Sequence, residues 1–234
     1  NAINSTKLKI FATHLGLDVG PDGKTHHCID YLGLIKNLHS FNIIIPADPN
    51  QTDRTVRYAL KEPGNFLIGV GRSKTDILID ESGKPYFGSG YRFIYGKADT
   101  IRTGKDGAII TMGQMVTKAV EAHNILKKKG YSIMVVNIST PTKIDSAVLK
   151  KAIATRVIVT YEDHNVDTGL GSLIAQRIVE TGARIKFKRL GIKQYGASDE
   201  KDALYVSQRL DVKYLVRVLL SLVPKRRKKS PPPS

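Results

Sequence analysis

The chain has 234 residues, of which 41% are hydrophobic and 25% are charged. That is enough apolar material for a buried core, in one large domain or two small ones. The single cysteine, Cys28, excludes an intrachain disulfide, and no apolar run is long enough to span a bilayer. We therefore expect a cytoplasmic protein without a membrane partner. Because the chain begins with Asn1 rather than methionine, we also expect that processing or an internal start has removed residues before it.

Lysine and arginine number 37 against 21 aspartate and glutamate, which gives a formal net charge of +16. Clustered cations can bind nucleic acid by releasing phosphate counterions. Much of the excess, however, lies in Lys127–Lys129 at the end of a predicted helix and in the tail Lys225–Lys229. The chain has no zinc-finger spacing and no RNA-recognition signature, so we do not expect nucleic acid to be its main partner.

Strands and helices alternate along the chain. In the first part the residue patterns predict strands at 8–13, 42–46 and 65–70 and helices at 28–38 and 50–61. In the second part they predict strands at 107–112, 131–138, 155–161 and 184–190 and helices at 113–129, 145–153, 170–181 and 211–222. This order predicts an α/β protein of two α/β/α sandwich domains with mostly parallel sheets.

The domain boundaries follow from composition. We place domains at residues 1–75 and 105–223, joined by a linker with edge strands at 76–104 that is rich in glycine and tyrosine. Residues 224–234 end in Ser-Pro-Pro-Pro-Ser and are predicted to be a disordered basic tail.

The Gly-rich loop between the first strand and the first helix carries His14, Asp22 and His26. Loops that follow parallel strands face bound ligands, and glycine permits the tight turns that such loops need. Two imidazoles and a carboxylate can donate, accept and orient protons on a hydroxylated substrate. Each residue also has a structural interpretation: a strand-end hydrogen bond for His14, a turn bond for Asp22 and a helix cap for His26.

Arg72 follows the predicted strand 65–70 and would therefore lie at the same sheet edge. Its planar guanidinium can hold a phosphate through two charge-assisted hydrogen bonds. A metal site built from His26, His27 and Cys28 is not expected, because consecutive ligands without a distant pair rarely close a tetrahedral site.

The loop resembles the transketolase family, in which a strand ending in Thr-His leads to Gly-x-Asp-Gly-x-Thr-His and then to a helix. Here these elements are Thr13-His14 and Gly20-Pro-Asp22-Gly-Lys-Thr25-His26. The similarity in motif order continues to about residue 222 through Ile45-Pro-Ala-Asp48, Ile68-Gly-Val-Gly-Arg72, Thr160-Tyr-Glu-Asp-His164 and Gly169-Leu-Gly171. The chain thus resembles a C-terminal section of that family: part of the pyrimidine-binding domain, incomplete at its N-terminus, followed by the C-terminal domain.

The resemblance implies transfer of a two-carbon ketol unit from a ketose phosphate to an aldose phosphate, with thiamine diphosphate and magnesium. It implies that His14 contacts the sugar, that Asp22 binds a substrate hydroxyl and that Arg72 binds the substrate phosphate. It also implies that His26 binds substrate oxygens and assists proton transfer, so that His14 and His26 are the catalytic residues.

The Gly-Asp-Gly motif that holds the cofactor in this family, and the glutamate that activates it, are absent from the sequence. We therefore expect that the chain alone is inactive and does not hold the cofactor tightly. Its expected partners are sugar phosphates and a diphosphate-binding half or second subunit, in a homo-oligomeric assembly such as a dimer.

Two alternatives remain. One is a related thiamine-dependent synthase or a 2-oxo-acid dehydrogenase β-type subunit, although these lack the strand-end Thr-His. The other is a noncatalytic interaction or regulatory module that keeps the fold and binds anionic partners through the tail.

Overall fold

The first unit is built around a three-stranded parallel sheet. A computed structural model describes residue 4 and residues 6–224. The strands are β1 (Lys9–Ala12), β2 (Phe41–Ile44) and β3 (Asn65–Gly69), in spatial order β1-β3-β2. Helices α1 (Tyr31–Ile35) and α2 (Pro49–Lys61) connect them. The central strand β3 is buried along its whole length, as its apolar sequence predicts.

The second unit contains a five-stranded sheet. Its strands are β4 (Asp99–Arg102), β5 (Gly107–Thr111), β6 (Ile133–Asn137), β7 (Val157–Asn165) and β8 (Lys186–Ile192). They lie in the order β4-β6-β5-β7-β8, and only β4 runs antiparallel to its neighbour. The helices are α3 (Met115–Lys128), α4 (Ser146–Ala154), α5 (Leu170–Glu180), α6 (Lys201–Ser207) and α7 (Val212–Leu222). The predicted α/β class with mostly parallel strands is confirmed.

Alternating residues of the second sheet pack on opposite faces. Ile109 and Val135 join a core with α3 and α7, whereas Ile110 and Val136 join a core with α4 and α5. This follows from the two-residue period of a strand. The second of these cores continues into the first unit through Leu67 of β3 and other apolar residues, so the two units share buried apolar contacts.

Strand β4, Asp99–Arg102, lies within the predicted linker with edge strands and is an edge strand of the second sheet. Three elements differ from the sequence-based expectation. The predicted helix 28–38 is shorter, since α1 covers only Tyr31–Ile35. Helix α6 was not predicted, because its seven residues bury only Leu204 and Tyr205. Strand β7 continues to Asn165, four residues beyond its predicted end.

Residues 225–234, which make up nearly all of the predicted tail, lie outside the described residues. In the part that the structure describes, none of the helices has both the length and the apolar character needed to cross a bilayer.

Candidate functional site

The ligand loop, residues 14–28, leaves the carboxyl end of β1 and closes on itself. Leu15 N–H donates to Val70 O (3.1 Å), and Gly16 N–H donates to Cys28 O (2.9 Å). Gly16 has a φ of 82°, in the region that favours glycine. A Cβ atom at this position would lie 2.1 Å from Oδ2 of Asp163. Glycine therefore serves both the turn and the close approach of the second unit.

The carboxylate of Asp163, on the extension of β7, holds the ligand loop in place. Its Oδ1 accepts the Leu17 N–H (3.0 Å), and its Oδ2 accepts from Gln114 Nε2 and the Tyr205 hydroxyl, both at 2.8 Å. Burial raises the pKa of Asp163 to about 6, and the nearby carboxylate of Asp18 adds to the effect, while these hydrogen bonds oppose it. One side chain of the second unit thus connects the ligand loop with both α3 and α6.

A second buried carboxylate, Asp18, connects the ligand loop to the segment that follows β3. Its Oδ2 accepts the Ser73 N–H, and Lys201 Nζ lies 3.9 Å from its Oδ1. Because Ser73 comes directly after Arg72, this bond fixes the backbone next to the predicted phosphate-binding arginine.

The first turn of α1, just after the ligand loop, is held by His164. Its Nε2 accepts the Leu32 N–H (3.0 Å), so the ring proton lies on Nδ1, which donates to Asn165 O (2.9 Å). The Tyr31 ring contacts the imidazole edge-on, with 4.6 Å between ring centres. Burial lowers the pKa of His164 to about 4. Nearby, Asp30 Oδ1 accepts from Asn165 Nδ2 (2.7 Å).

The structure brings two of the four predicted site residues together. Arg72 Nη1 lies 3.1 Å from Asp22 Oδ2 and donates to Val19 O at 2.7 Å. The side chains of Arg72 and Asp22 are 43% and 35% exposed, so the ion pair lies at the surface, open to a ligand. Its own contribution to stability is therefore small.

The other two predicted residues, His14 and His26, are exposed. His14 Nδ1 lies 2.7 Å from Thr13 Oγ1, and His26 Nδ1 lies 2.9 Å from Thr25 Oγ1. Within residues 6–224 no hydrogen bond connects either imidazole to the Arg72–Asp22 pair. Each ring is oriented by its neighbouring hydroxyl, which leaves Nε2 for a ligand.

A groove of about 520 Å³ adjoins Arg72 at the carboxyl ends of β1 and β3. Gly71 and Ser73, on either side of Arg72, line it together with Phe11, Pro46 and Lys74. Its size suits a small ligand. The lining of the groove includes neither Arg72 nor the other three predicted site residues, and Arg72 adjoins it only through Gly71 and Ser73. A cation, a carboxylate and two imidazoles are the groups that can anchor a phosphate, bind hydroxyls and exchange protons.

The residues that position this site were not found from the sequence. Asp18, Asp163 and Tyr205 are buried around the ligand loop, and Gln114 is half-buried beside them. Only Asp163 gave a signal, as part of the motif Thr160-Tyr-Glu-Asp-His164. Leu17, whose N–H donates to Asp163, is 146 positions away in the sequence, so no local pattern could predict this hydrogen bond.

A metal-bound diphosphate does not fit the part of the chain that the structure describes. Among residue 4 and residues 6–224, no group of three or more histidine, cysteine, aspartate or glutamate residues could hold a metal ion. The residue types of the predicted site suit a sugar and its phosphate instead, since Mg²⁺ prefers several oxygen ligands and Arg72 and two imidazoles supply none.

Two family models match the chain. The one described as transketolase, pyrimidine binding domain, covers residues 1–76, and the one described as transketolase, C-terminal domain, covers residues 96–214. A subunit of the apulose-4-phosphate transketolase of Actinobacillus succinogenes is 31% identical over 223 residues, which are 94% of this chain and 69% of that protein.

Two further similarities extend over most of the chain. A 1-deoxy-D-xylulose-5-phosphate synthase of Shouchella clausii is 27% identical over 219 residues, covering 91% of this chain and 33% of the synthase. A solved structure described as a split gene transketolase, an inactive β4 tetramer, superposes with a TM-score of 0.79 at 29% identity. That superposition covers 92% of this chain and 66% of the solved one. The chain therefore spans only part of each of these proteins.

Proposed function

Because the chain belongs to the transketolase family, we propose that it is the C-terminal part of an enzyme that transfers a two-carbon ketol unit from a ketose phosphate to an aldose phosphate. One observation carries this proposal. Arg72, whose neighbours Gly71 and Ser73 line a groove at the strand ends, pairs with Asp22 of the loop that presents His14 and His26.

Arg72 is the proposed anchor for the substrate phosphate. Its Nη1 bonds to Val19 O, an uncharged acceptor, so phosphate binding does not require that contact to break. Within residues 6–224 the structure has no hydrogen bond from Nε or Nη2, and these donors can form the two parallel bonds that phosphate prefers. Asp22 keeps the guanidinium in place before binding and is the proposed partner of a substrate hydroxyl.

His14 and His26 are proposed to act on the sugar. Both imidazoles are exposed and oriented through Nδ1 by a neighbouring threonine hydroxyl. Nε2 can then donate to, or accept from, a sugar oxygen. Histidine exchanges protons readily near neutral pH, which suits His26 to proton transfer during the reaction.

The family depends on thiamine diphosphate, which supplies the bond-breaking chemistry when it is bound. We propose that this cofactor and its magnesium are held mainly by a second chain or section, and that the chain alone binds them weakly and is inactive. The relative from Actinobacillus succinogenes is one subunit of its transketolase, which supports an enzyme built from two kinds of chain. We propose that the assembly contains more than one copy of each type of chain. Its proposed location is the cytoplasm.

The test uses the complete enzyme, reconstituted with the chain that holds the cofactor. We expect Arg72→Ala to lower kcat/KM for a phosphorylated sugar, by an amount that corresponds to a loss of about 3 kcal/mol of transition-state stabilisation. For the unphosphorylated analogue we expect a far smaller loss. Arg57→Ala is the matched control, because Arg57 is an exposed arginine on α2 that pairs only with Asp53 in the described chain. Equal losses for both sugars in the Arg72 variant would contradict the phosphate-anchor role.

His26 is tested in the same enzyme. We expect His26→Ala to lower kcat about 100-fold while the affinity for the cofactor stays the same. A parallel loss of thermal stability and of activity on every substrate would favour a structural role for His26.

The synthase relative supports a second candidate, because it matches 91% of this chain. Product analysis of the reconstituted enzyme separates the two. Formation of 1-deoxy-D-xylulose 5-phosphate would favour the synthase, and exchange between a ketose phosphate and an aldose phosphate would favour the transketolase.

A further inference from the structure

The second unit contains a basic cleft between the carboxyl end of β8 and the turn that joins α6 to α7. The cleft has a volume of about 250 Å³. Four of its lining residues are basic and none is acidic: Lys188, Arg189, Lys193 and Arg209. Because β8 is the last strand of its sheet, the cleft opens at the sheet edge. It shares no lining residue with the groove beside Arg72.

Three of the four cations in the basic cleft are uncompensated. Arg189 is engaged, since its Nη1 donates to Val166 O (2.7 Å) and Ser172 Oγ (2.6 Å). Lys188, Lys193 and Arg209 are exposed, and within residues 6–224 their side chains form no ion pair and no hydrogen bond. Cations that converge on one concavity raise the local positive potential and attract an anion.

The nearest carboxylate in the sequence does not neutralise these cations. Asp211 caps α7, where its Oδ1 accepts the Tyr214 N–H at 3.0 Å. The Tyr214 ring lines the cleft, with the Arg209 guanidinium carbon 5.9 Å and the Arg217 guanidinium carbon 4.7 Å from its centre. The ring thus packs against the guanidinium of Arg209, which lines the cleft, and against that of Arg217, which does not.

Arg209 occupies a backbone position that usually belongs to glycine. Its φ is 57°, directly after α6, where Leu210 N–H donates to Tyr205 O (2.7 Å) and closes the helix. An arginine in this left-handed conformation costs backbone free energy that glycine would avoid. The stability of the helix end therefore does not explain why this position carries an arginine.

We propose that the basic cleft binds a compact phosphate-bearing ligand, a phosphate monoester or a diphosphate, through Lys188, Lys193 and Arg209. Lysine supplies point charge and arginine supplies directed donors, the two kinds of group that phosphate oxygens need. The side-chain amides of Gln194 and Gln208 also line the cleft and can bond to uncharged oxygens of the ligand. The small volume suits a compact anion rather than a length of nucleic acid.

The experiment is a calorimetric titration of the full chain with inorganic pyrophosphate at low ionic strength. Arg209→Ala and Lys193→Ala are each expected to weaken binding about tenfold, the usual effect of losing one charge-assisted bond. The control Lys150→Ala removes one exposed cation from α4 of the same unit and is expected to leave binding unchanged. Equal weakening in all three variants would show a general charge effect and overturn the proposal.

Two further arms make the result specific. Arg209→Gly suits the left-handed backbone, so it should fold at least as stably as the wild type and still bind pyrophosphate about tenfold more weakly. Binding as tight as that of the wild type would overturn the role of Arg209. Arg72→Ala should bind pyrophosphate as tightly as the wild type, because the two anion sites are separate. Titration with glycerol phosphate and with a short single-stranded RNA identifies the ligand class. RNA that binds more tightly than either small phosphate, through the same three residues, would overturn the compact-ligand assignment.

Discussion

The imidazole of His164 makes the contact between the two units sensitive to pH. It accepts the Leu32 N–H through Nε2, so the folded protein requires this nitrogen to be unprotonated. Burial lowers its pKa to about 4, from about 6.5 in the unfolded chain. The nearby charges of Asp30 and Lys36 act on it in opposite directions. Because the unfolded chain binds this proton more tightly, the stability due to His164 is present above about pH 6.5 and is lost as the pH falls toward 4.

The size of the effect follows from the two pKa values. At pH 5.0 the unfolded histidine is almost fully protonated, and only about a tenth of the folded protein is. Proton uptake then favours the unfolded state by about 2 kcal/mol, compared with almost nothing at pH 7.5. For a protein of ordinary stability this is a large share of the free energy of unfolding.

Urea unfolding followed by circular dichroism at pH 7.5 and pH 5.0 measures the effect. His164→Gln keeps an acceptor but cannot be protonated, so it should lose about 2 kcal/mol less on acidification than the wild type. His39→Gln, which replaces an exposed imidazole, should behave as the wild type. The buried carboxyls of Glu162 and Asp163 have raised pKa values. Their contribution to the free energy of unfolding therefore rises on acidification, and it does so in all three proteins. An equal loss in all three would refute the reasoning.

Two other pairs of substitutions test the packing around the site by urea unfolding at neutral pH. Gly16→Ala should cost about 3 kcal/mol or more, because its Cβ would collide with Asp163, whereas Gly83→Ala should cost only about 1 kcal/mol of backbone strain. Both glycines have a φ of 82°, so similar losses would show that the collision is unimportant. Asp48→Ala should cost about 2 kcal/mol, since its carboxylate caps α2 and also accepts a backbone N–H beyond that helix. Asp211→Ala removes a single capping bond and should cost about 1 kcal/mol, and the reverse order of the two losses would contradict this account.

Local signals in the sequence predicted most of the fold. The run Ile43-Ile-Ile45 is typical of a buried parallel strand, and β2 contains Ile43 and Ile44 with both side chains buried. Asp211 is a typical cap at the start of the predicted helix 211–222, and its carboxylate accepts the Tyr214 N–H. Gly130 is a typical residue after the end of the predicted helix 113–129, and it follows α3 with a φ of 83°. Helix α6 was not predicted, because it is short and partly polar and its periodicity is too weak to detect.

The candidate site was predictable only where its residues are close in sequence or share a strand edge. His14, Asp22 and His26 lie on one continuous loop, and Arg72 follows a parallel strand that ends at the same edge. The hydrogen bonds that hold the loop depend on how the units pack against each other. No pattern in the sequence could predict that Asp163 would accept a hydrogen bond from the loop backbone, since this depends on the three-dimensional arrangement of both sheets.

Because the second unit supports the ligand loop, the two units cannot be exchanged freely with those of related proteins. Asp163 and His164 of β7 bond to backbone groups in and just after the loop, and Gly196 N–H lies 3.3 Å from Nδ1 of the buried His27. In a chimera that took residues 105–223 from a relative, the ligand loop of the first unit would therefore be held by foreign residues. Substitutions in the second unit, such as Tyr205→Phe, should change the affinity for the proposed sugar substrate although Tyr205 is not one of its proposed contacts. Sequence exchange between homologues at this boundary would be tolerated only when the residues on both sides are exchanged together.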